Sequence, residues 1–332
     1  INVMKNVSKL ALFVAAGMMT AGAQAAEFKV DDETSLYLFG EMEIHAARTT
    51  EGDGDDIDDV SDEGSLIGFG GERNFSSGIK AFVEMEVEYD LFGNDGETEV
   101  GQSDELDGKA FEHGMSIFGI EGDFGTIEIG NPSDPIFDDY VYETVDYFES
   151  AELSKEEYGE EEDTFAYFSP DFDGFEYQLM LRVIDETDDG QDDTETSASV
   201  TAQYDFGGFQ LVGGYTENGD VETQDPTIGL GAVIELSDNV EIGTRYAKEE
   251  TAAGAATDFF AVAAEYDYGA GDIYGGIQSV DADGSDTRTE YALGADYEFE
   301  DDFSVYAEYA NYDRDSGNDT DTFMEVGLRF EF

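Results

Sequence analysis

The feature that most constrains this chain is a strict alternation of apolar and polar residues, which recurs from about residue 35 to residue 332. Residues 323–332 show it clearly. One face of a strand would carry Met324, Val326, Leu328, Phe330 and Phe332, and the other Phe323, Glu325, Gly327, Arg329 and Glu331. A strand of a soluble sandwich gives the same alternation. Its repetition along the chain favours membrane-spanning strands, which must close on themselves because hydrocarbon cannot satisfy an open sheet edge.

Residues 79–89 indicate that the polar face surrounds water. Apolar or aromatic residues at the odd positions alternate with Lys80, Phe82, Glu84, Glu86 and Glu88, a set that a dry sandwich core could not hold. The same pattern occurs at residues 36–45, 198–206 and 290–299. About sixteen such strands of ~9–11 residues are expected, enough to leave an aqueous channel. The sequence therefore predicts an all-β fold, a transmembrane antiparallel β-barrel.

The connections predict that the two ends of this barrel differ. Short connections are expected at residues 207–208, 237–239 and 300–302, and longer acidic ones at 185–195, 217–225, 249–258, 281–286 and 313–321. The acidic segment 49–64 is predicted to be a solvated loop. Tyrosines at strand ends are expected to form interfacial girdles, among them Tyr266, Tyr268, Tyr309 and Tyr312.

The first 25 residues have the features of an export signal. Lys5 and Lys9 flank a basic region, residues 10–19 are almost wholly apolar, and Ala23-Gln24-Ala25 fits a cleavage site. We expect a signal peptide at 1–25, in which residues 1–3 are an extension upstream of Met4, and a barrel at 26–332. The apolar part is too short to span a bilayer, and no later run approaches ~18 apolar residues.

The net charge is extreme: 82 acidic residues against 14 basic ones give −68. Such self-repulsion would destabilise a compact chain at low salt, whereas at 1 M salt the Debye length falls to roughly 3 Å. We therefore expect a halophilic source. The aromatic content of 13% argues against disorder, and the sign of the charge argues against nucleic acid as a partner. The sequence has no cysteine, so disulfides are excluded.

Two stretches resemble a known family. Residues 116–131 (SIFGIEGDFGTIEIGN) and 163–175 (DTFAYFSPDFDGF) are similar to a G-D-F-G-T turn and an S-P-x-F-x-G-F strand pair of the general diffusion porins of Gram-negative bacteria. With LYLFG at 36–40, SLIGFGG at 65–71 and the terminal phenylalanine, the resemblance runs from residue 35 to 332. It implies a sixteen-stranded homotrimer in the cell outer membrane, in contact with its lipid, whose third long loop folds inward and narrows the channel.

That loop would be residues 132–162, between the two matched stretches. Its expected constriction carboxylates are Asp134, Asp138, Asp139, Glu143, Asp146 and Glu149, and its aromatic residues Tyr140, Tyr142, Tyr147 and Phe148 are expected to pack it against the wall. A solvated acidic loop in an acidic protein would explain the same charges.

The departures from the family pattern bear on selectivity. Leu66 and Gly70 stand where the family often has arginine and lysine, and Asn131 replaces an arginine after the turn. The expected pore-wall residues are Lys80, Glu84, Arg182, Arg245 and Arg329, of which Lys80, Arg182 and Arg245 are candidates to face the loop carboxylates. A narrow passage lined by carboxylates favours cations. The hypothesis is a weakly cation-selective porin for passive diffusion of small hydrophilic solutes and ions, without a cofactor.

Other functions stay open. A substrate-specific channel, for sugars, could use Tyr37, Phe39 and Phe82 as an aromatic track, and an adhesin would use the loops. His45 and His113 are the only histidines, and no G-x-S-x-G motif accompanies them, so a barrel-embedded hydrolase would need an unrecognised Ser-His pair. Acid clusters such as 53–59 could bind Ca²⁺ or Mg²⁺ weakly, although they lack the EF-hand spacing.

Overall fold

The computed structural model describes residues 26–52, 54, 56–62, 64–92, 111–132, 136–155, 163–186, 193–217, 224–251, 254–300, 302–313 and 320–332. Their strands, in chain order, are β1 (Ala26–Lys29), β2 (Thr34–Thr50), β3 (Asp56–Asp62), β4 (Leu66–Asn74), β5 (Lys80–Glu88), β6 (Glu112–Gly122), β7 (Gly125–Asn131), β8 (Thr164–Phe168), β9 (Phe175–Glu186), β10 (Asp193–Asp205), β11 (Phe209–Thr216), β12 (Gln224–Ser237), β13 (Val240–Thr251), β14 (Ala256–Asp267), β15 (Asp272–Ala282), β16 (Arg288–Glu300), β17 (Phe303–Asp313) and β18 (Thr320–Glu331). Between β7 and β8 lie helix α1 (Ile136–Tyr140) and a 3₁₀ helix (Tyr142–Val145). Within these residues, no helix has the length and apolar character needed to cross a membrane.

These strands form a closed antiparallel barrel of sixteen strands, which confirms the predicted fold. Two of its positions are shared by two segments each. Along one side of β2, β3 pairs with its second half and β4 with its first half. Along the other side of β2, β18 pairs with its second half and β1 with its first half. At the closure, Gly40 and Phe332 each donate a backbone N–H to the other's carbonyl oxygen at 2.9 Å, so the sheet leaves no open edge there.

The prediction of a solvated loop at residues 49–64 is wrong, because β3 lies inside it. Aspartate disfavours strands, but here its side chains have partners on β2. The guanidinium of Arg48 donates to Asp58 Oδ2 at 2.8 Å, and Thr50 Oγ1 donates to Asp56 Oδ1 at 2.7 Å. Strands also extend further into other acidic connections than expected, as β12 and β13 do.

The alternation of residues in the sequence becomes the two faces of the barrel wall. On β18, Val326 is 61% exposed on the outer face, whereas its neighbour Glu325 is 3% exposed on the inner face. The outer belt carries large apolar side chains on strand after strand, such as Leu181, Leu211 and Leu293. Tyr312 was expected in an outer girdle, and this is wrong: it lies on the inner face, where its hydroxyl donates to the carbonyl oxygen of Glu152 at 2.8 Å.

Glycines of the inner face give space to aromatic rings on the neighbouring strand. In five directly paired positions, a ring fills the place that a Cβ would take: Tyr37 over Gly70, Phe39 over Gly68, Phe82 over Gly119, Tyr274 over Gly294 and Tyr306 over Gly327. Cross-strand aromatic–glycine pairing stabilises a sheet where the glycine itself has no side chain to pack. Gly70, at a position where a lysine was the family expectation, is thus covered by a neutral ring.

Candidate functional site

The described part of the loop between β7 and β8, residues 136–155, lies against the inner wall of the barrel. Its first half buries Ile136, Phe137, Tyr140 and Val141 against Ala166, Met180, Val212 and Val233 of β8, β9, β11 and β12. Its second half buries Val145, Phe148, Ala151 and Leu153 against Ala261, Ala263, Tyr274, Ala292 and Ala310 of β14 to β17. We call residues 136–155 the lumen loop.

The wall under the lumen loop is made of small residues, which let the backbone of the loop approach. A Cβ at Gly243 would overlap the carbonyl oxygen of Thr144, and a Cβ at Gly276 would lie 3.0 Å from Leu153 Cδ1. The hydroxyl of Thr144 donates to the carbonyl oxygen of Thr244 on the same wall at 3.2 Å. Since packed interiors tolerate little added volume, the position of the loop depends on these small side chains.

Glu308 on β17 fixes one end of the lumen loop. Its carboxylate accepts the backbone N–H groups of Glu149 (2.9 Å), Ser150 (3.1 Å) and Ala151 (2.7 Å), and the Tyr274 hydroxyl at 2.6 Å. Three successive amides directed at one carboxyl group hold this end of the loop against β17. Glu308 is 5% exposed, so loss of this set would leave its carboxylate buried without donors.

Ser154 is a second fixed point of the loop. Its carbonyl oxygen accepts from Arg245 Nη2 at 2.9 Å and from Gln278 Nε2 at 2.7 Å, while its N–H and hydroxyl donate to Glu290 at 3.1 and 2.8 Å. The guanidinium of Arg245 also lies 4.5 Å from the ring centroid of Tyr142, within range of a cation–π contact. Arg245, expected to face loop carboxylates, therefore contacts the loop's backbone and an aromatic ring.

The structure places the expected loop carboxylates in different environments. Asp134 lies outside the described residues. Asp138 pairs with Lys155 at 3.3 Å, and Glu149 accepts from Arg329 Nη1 at 2.7 Å. Asp139 and Glu143 are half-buried.

The Oδ1 atom of Asp146 is also enclosed and receives no hydrogen bond. Burial raises the pKa of its carboxyl well above the ordinary value of 3.8, and the negative charges of Glu152 and Glu143 raise it further, against an opposing effect of Lys155. The raised pKa favours the uncharged carboxyl of Asp146 over the carboxylate.

Arg329, one of the expected wall residues, contacts a loop carboxylate. It lies between Glu149 of the loop and two wall carboxylates, with Nη2 3.1 Å from Glu41 and Nε 3.3 Å from Glu331. Lys80 lies between Glu121, at 2.6 Å, and Glu72, at 3.9 Å.

Glu84 and Arg182 complete the expected set. Glu84 accepts the Tyr37 hydroxyl at 3.0 Å. Arg182 is 3% exposed, next to Thr164 and Ser197 on the adjacent strands. The sequence reasoning missed Glu290, Glu308 and Gln278, whose inward position follows from strand parity but whose loop partners do not.

His45 has the neighbours that a hydrolase would need, but not their setting. Its Nε2 lies 2.8 Å from Ser61 Oγ and its Nδ1 3.1 Å from Glu325 Oε2. Even-numbered residues of β2 bond to β18, as Gly40 does to Phe332, so His45 exchanges its backbone bonds with Ser61. The amide of Ser61 is thus committed to the sheet and cannot stabilise an oxyanion. The arrangement fits a buried polar network of the wall.

The acid cluster at 53–59 is partly inside β3, and residues 53 and 55 lie outside the described part. Asp56 and Asp58 are engaged by Thr50 and Arg48. The carboxylates that come together among the described residues are instead Asp272, Asp296 and Glu298, near the turn after β14. Exposed acids of this kind attract counter-ions without forming a specific site.

Comparison with known proteins agrees with this architecture. The model of the Gram-negative porin family matches residues 11–317. A monosaccharide porin of Halomonas sp. and the major outer membrane protein of Halomonas elongata are each 26% identical over 375 residues, covering 97% of this chain and 99% of the relative.

Solved structures share the fold. An anion-selective porin from Comamonas acidovorans superposes with a TM-score of 0.71 at 17% identity, over 90% of this chain and 100% of that one. Salmonella typhi OmpF, in complex with daunomycin, gives 0.70 at 17% identity, over 92% and 100%. At this identity the structures share the fold alone, whereas the family match covers most of the sequence. The chain belongs to the Gram-negative porin family, whose members are channel proteins of the outer membrane.

Proposed function

We propose that this porin is a weakly cation-selective channel for the passive diffusion of small hydrophilic solutes and ions, with the lumen loop as its constriction. The observation that carries the proposal is the setting of Arg329. One guanidinium is shared by Glu41, Glu149 and Glu331, so the contact between loop and wall has a net negative charge. A passage of this sign attracts cations and repels anions.

The part of the wall formed by β4 to β6 also favours a negative charge in the passage. On β4 to β6, Lys80 is held between two carboxylates, and Glu84 lies nearby with a tyrosine as its donor. Positions at which the family often has basic residues are neutral here, as at Gly70. Both surfaces that border the passage are therefore acidic or neutral, and their effect on ions weakens as salt screens it.

The proposal includes the processing and assembly that the family resemblance implies. Residues 1–25, which lie outside the described part, would direct export and be removed. The barrel of residues 26–332, with residues 132–162 as its constriction loop, would assemble as a homotrimer in the outer membrane. The excess of acidic residues would suit a halophilic cell, since high salt screens their repulsion.

The test is the zero-current potential of single channels in a planar bilayer under a KCl gradient, from low to molar salt. We expect a cation-signed potential that fades with salt, and a smaller one for the triple variant Asp138→Asn, Asp139→Asn, Glu143→Gln. The matched control removes three exposed acids, Asp32→Asn, Asp173→Asn and Asp238→Asn, and should keep the wild-type potential. An anion-signed potential at low salt would refute the proposal.

A second candidate is a channel that prefers sugars, and two observations favour it. One relative is named a monosaccharide porin, and the inner wall carries Tyr37 and Phe39 with ring centroids 6.2 Å apart. Aromatic faces bind the apolar faces of sugars. Liposome swelling rates for glucose and for a polyol of equal size would distinguish the two functions. A preference for glucose that is lost in Tyr37→Leu would favour the sugar channel.

A further inference from the structure

A groove of about 430 Å³ lies in the apolar belt of the barrel's outer surface, across β10 to β13. Its floor is formed by Ala202 and Gly213, which are directly paired. Val200, Tyr215, Ile228, Leu230 and Tyr246 form its sides. At this point two small residues lie side by side between larger apolar ones.

The strand register arranges the groove in two rows. Ala202, Gly213, Leu230 and Tyr246 are successive partners in one row. The next row lies closer to the end of the barrel with the longer connections. Its successive partners are Val200, Tyr215, Ile228 and Lys248. The groove thus runs up the membrane face and ends at a cation.

The outer face becomes polar around the row that contains Lys248, where side chains from both rows reach acidic partners. Lys248 lies 2.9 Å from Glu250, the Tyr246 hydroxyl donates to Asp258 at 2.6 Å, and the Tyr215 hydroxyl donates to Glu217 at 3.3 Å. Tyrosines with the ring in an apolar layer and the hydroxyl on a polar partner are typical of the membrane boundary. The groove therefore lies directly below the headgroup level of the leaflet on the loop side.

We propose that this groove binds one acyl chain of a phosphate-bearing lipid of that leaflet, whose phosphate pairs with Lys248. The outer face of a porin barrel meets hydrocarbon, so the available occupant is an alkyl chain. An acyl chain in the groove contacts protein atoms on three sides, whereas on the convex outer wall it contacts them on one side only. Lys248 is the single basic residue of the two rows, and its ammonium group has three N–H donors, so it can donate to a phosphate while it stays paired with Glu250.

The experiment uses the purified protein reconstituted in phosphatidylglycerol vesicles that contain phosphatidylglycerol with a diazirine near the middle of one acyl chain. After irradiation, the labelled peptides are mapped by mass spectrometry. We expect labelling of the groove rows at least fivefold above that at Leu293 and Val326, which are also on the outer face. Equal labelling around the barrel would overturn the proposal.

Two substitutions fill the groove, and one matched change leaves it intact. Ala202→Leu and Gly213→Leu should each reduce the labelling to the level at Leu293, whereas Ala295→Leu, the same change on the outer face of β16, should leave it unchanged. Because Ala202→Leu and Gly213→Leu act independently, misfolding of one leaves the test intact. Strong groove labelling that persists in both would refute the groove as the binding site.

The headgroup is tested with a diacylglycerol that carries the same diazirine chain without a phosphate. We expect Lys248→Gln to lower labelling by the phosphate probe several-fold, to the level of the phosphate-free probe. Identical labelling by the two probes in the wild type would refute the role of Lys248. If a second copy of the chain covers the groove, the wild type shows no groove labelling and Ala202→Leu lowers the oligomer fraction, which would overturn the proposal.

Discussion

Asp146 gives the pH dependence that we expect of the lumen loop. The pKa of this carboxyl is raised in the folded protein, so the folded state binds more protons than the unfolded state above pH 3.8. Stability is therefore highest at low pH and falls as the pH rises from that value towards the folded pKa. Asp146→Asn should remove this loss, because an amide has no proton to bind, so the variant should be more stable than the wild type at pH 7.

Thermal unfolding in detergent at pH 4 and pH 7 checks the expectation. The variant should unfold at a higher temperature than the wild type at pH 7 and at a similar temperature at pH 4. The control is Asp283→Asn, which replaces an exposed carboxylate and should change the unfolding temperature at neither pH. Because the raised pKa favours the uncharged carboxyl, Asp146→Asn should also leave the zero-current potential unchanged. A loss of cation preference in this variant would show that the carboxyl is ionised.

Arg329 should oppose the cation preference, because it places a positive charge where Glu149 of the loop meets Glu41 and Glu331 of the wall. Removal of one charge about 10 Å from an ion's path changes its energy by about 0.4 to 1.7 kcal/mol for effective dielectric constants between ~80 and ~20. Because the change favours the cation and disfavours the anion by the same energy, Arg329→Gln should raise the cation-to-anion permeability ratio by about fourfold or more at low salt. Arg48→Gln, which removes an exposed guanidinium paired with Asp58, should have little effect. An unchanged ratio in Arg329→Gln would place the selective point elsewhere.

At the level of single residues, the sequence predicted which side of the wall a side chain faces, but not what it contacts. Strand parity placed Arg245 and Arg329 in the lumen, and both lie there. That Arg245 binds the carbonyl of Ser154 while Arg329 binds the carboxylate of Glu149 depends on how residues 136–155 cross the wall. No local pattern encodes that path, because each contact joins segments about 90 residues or more apart.

Hydrogen bonds from the backbone of the lumen loop to Glu308 hold the loop against the wall. Glu308→Ala removes the acceptor of three successive amides, and each donor left buried without a partner costs about 1–3 kcal/mol. We expect the loop segment around Ser150 to leave the wall and the single-channel conductance to change, with faster proteolysis in the loop. Glu308→Gln keeps one acceptor oxygen and should show a smaller effect of the same sign.

Glu298→Gln on β16, an exposed carboxylate near the turn, is the matched control for this element. It should keep the wild-type conductance and the wild-type rate of proteolysis. If Glu308→Ala also keeps both, the apolar contacts of Phe148 and Leu153 alone hold the loop, and the carboxylate is not needed for its position.

Among the strands, the sequence predicted those that cross the apolar layer and missed the one that extends beyond it. β18 and β5 alternate because one face meets hydrocarbon and the other water. β3 has four aspartates in seven residues, and it is stabilised by pairing with β2 and by side-chain contacts such as Arg48 with Asp58. Beyond the membrane both faces of a strand meet water, so its sequence need not alternate between apolar and polar residues. Such a strand therefore resembles a loop in sequence.

For the whole molecule, closure of the barrel follows from the repeated alternation, while its electrical behaviour follows from its charge. The chain carries 82 acidic residues and a formal charge of −68. Most of them have no basic partner available, since there are only 14 lysines and arginines. Repulsion among them opposes folding, and its range shrinks from about 10 Å at 0.1 M salt to about 3 Å at 1 M.

We therefore expect the stability of the purified barrel to rise with salt. From 0.1 to 1 M NaCl the unfolding temperature should increase by at least about 5 °C, the shift that roughly 2 kcal/mol produces in a large domain. Sucrose at equal osmolarity is the control, because it acts through exclusion from the surface and not through screening. An equal increase in sucrose would mean that solvent exclusion is sufficient. An unfolding temperature that is constant in NaCl would mean that the carboxylates are already neutralised, by protonation of the kind described for Asp146 or by tightly bound cations.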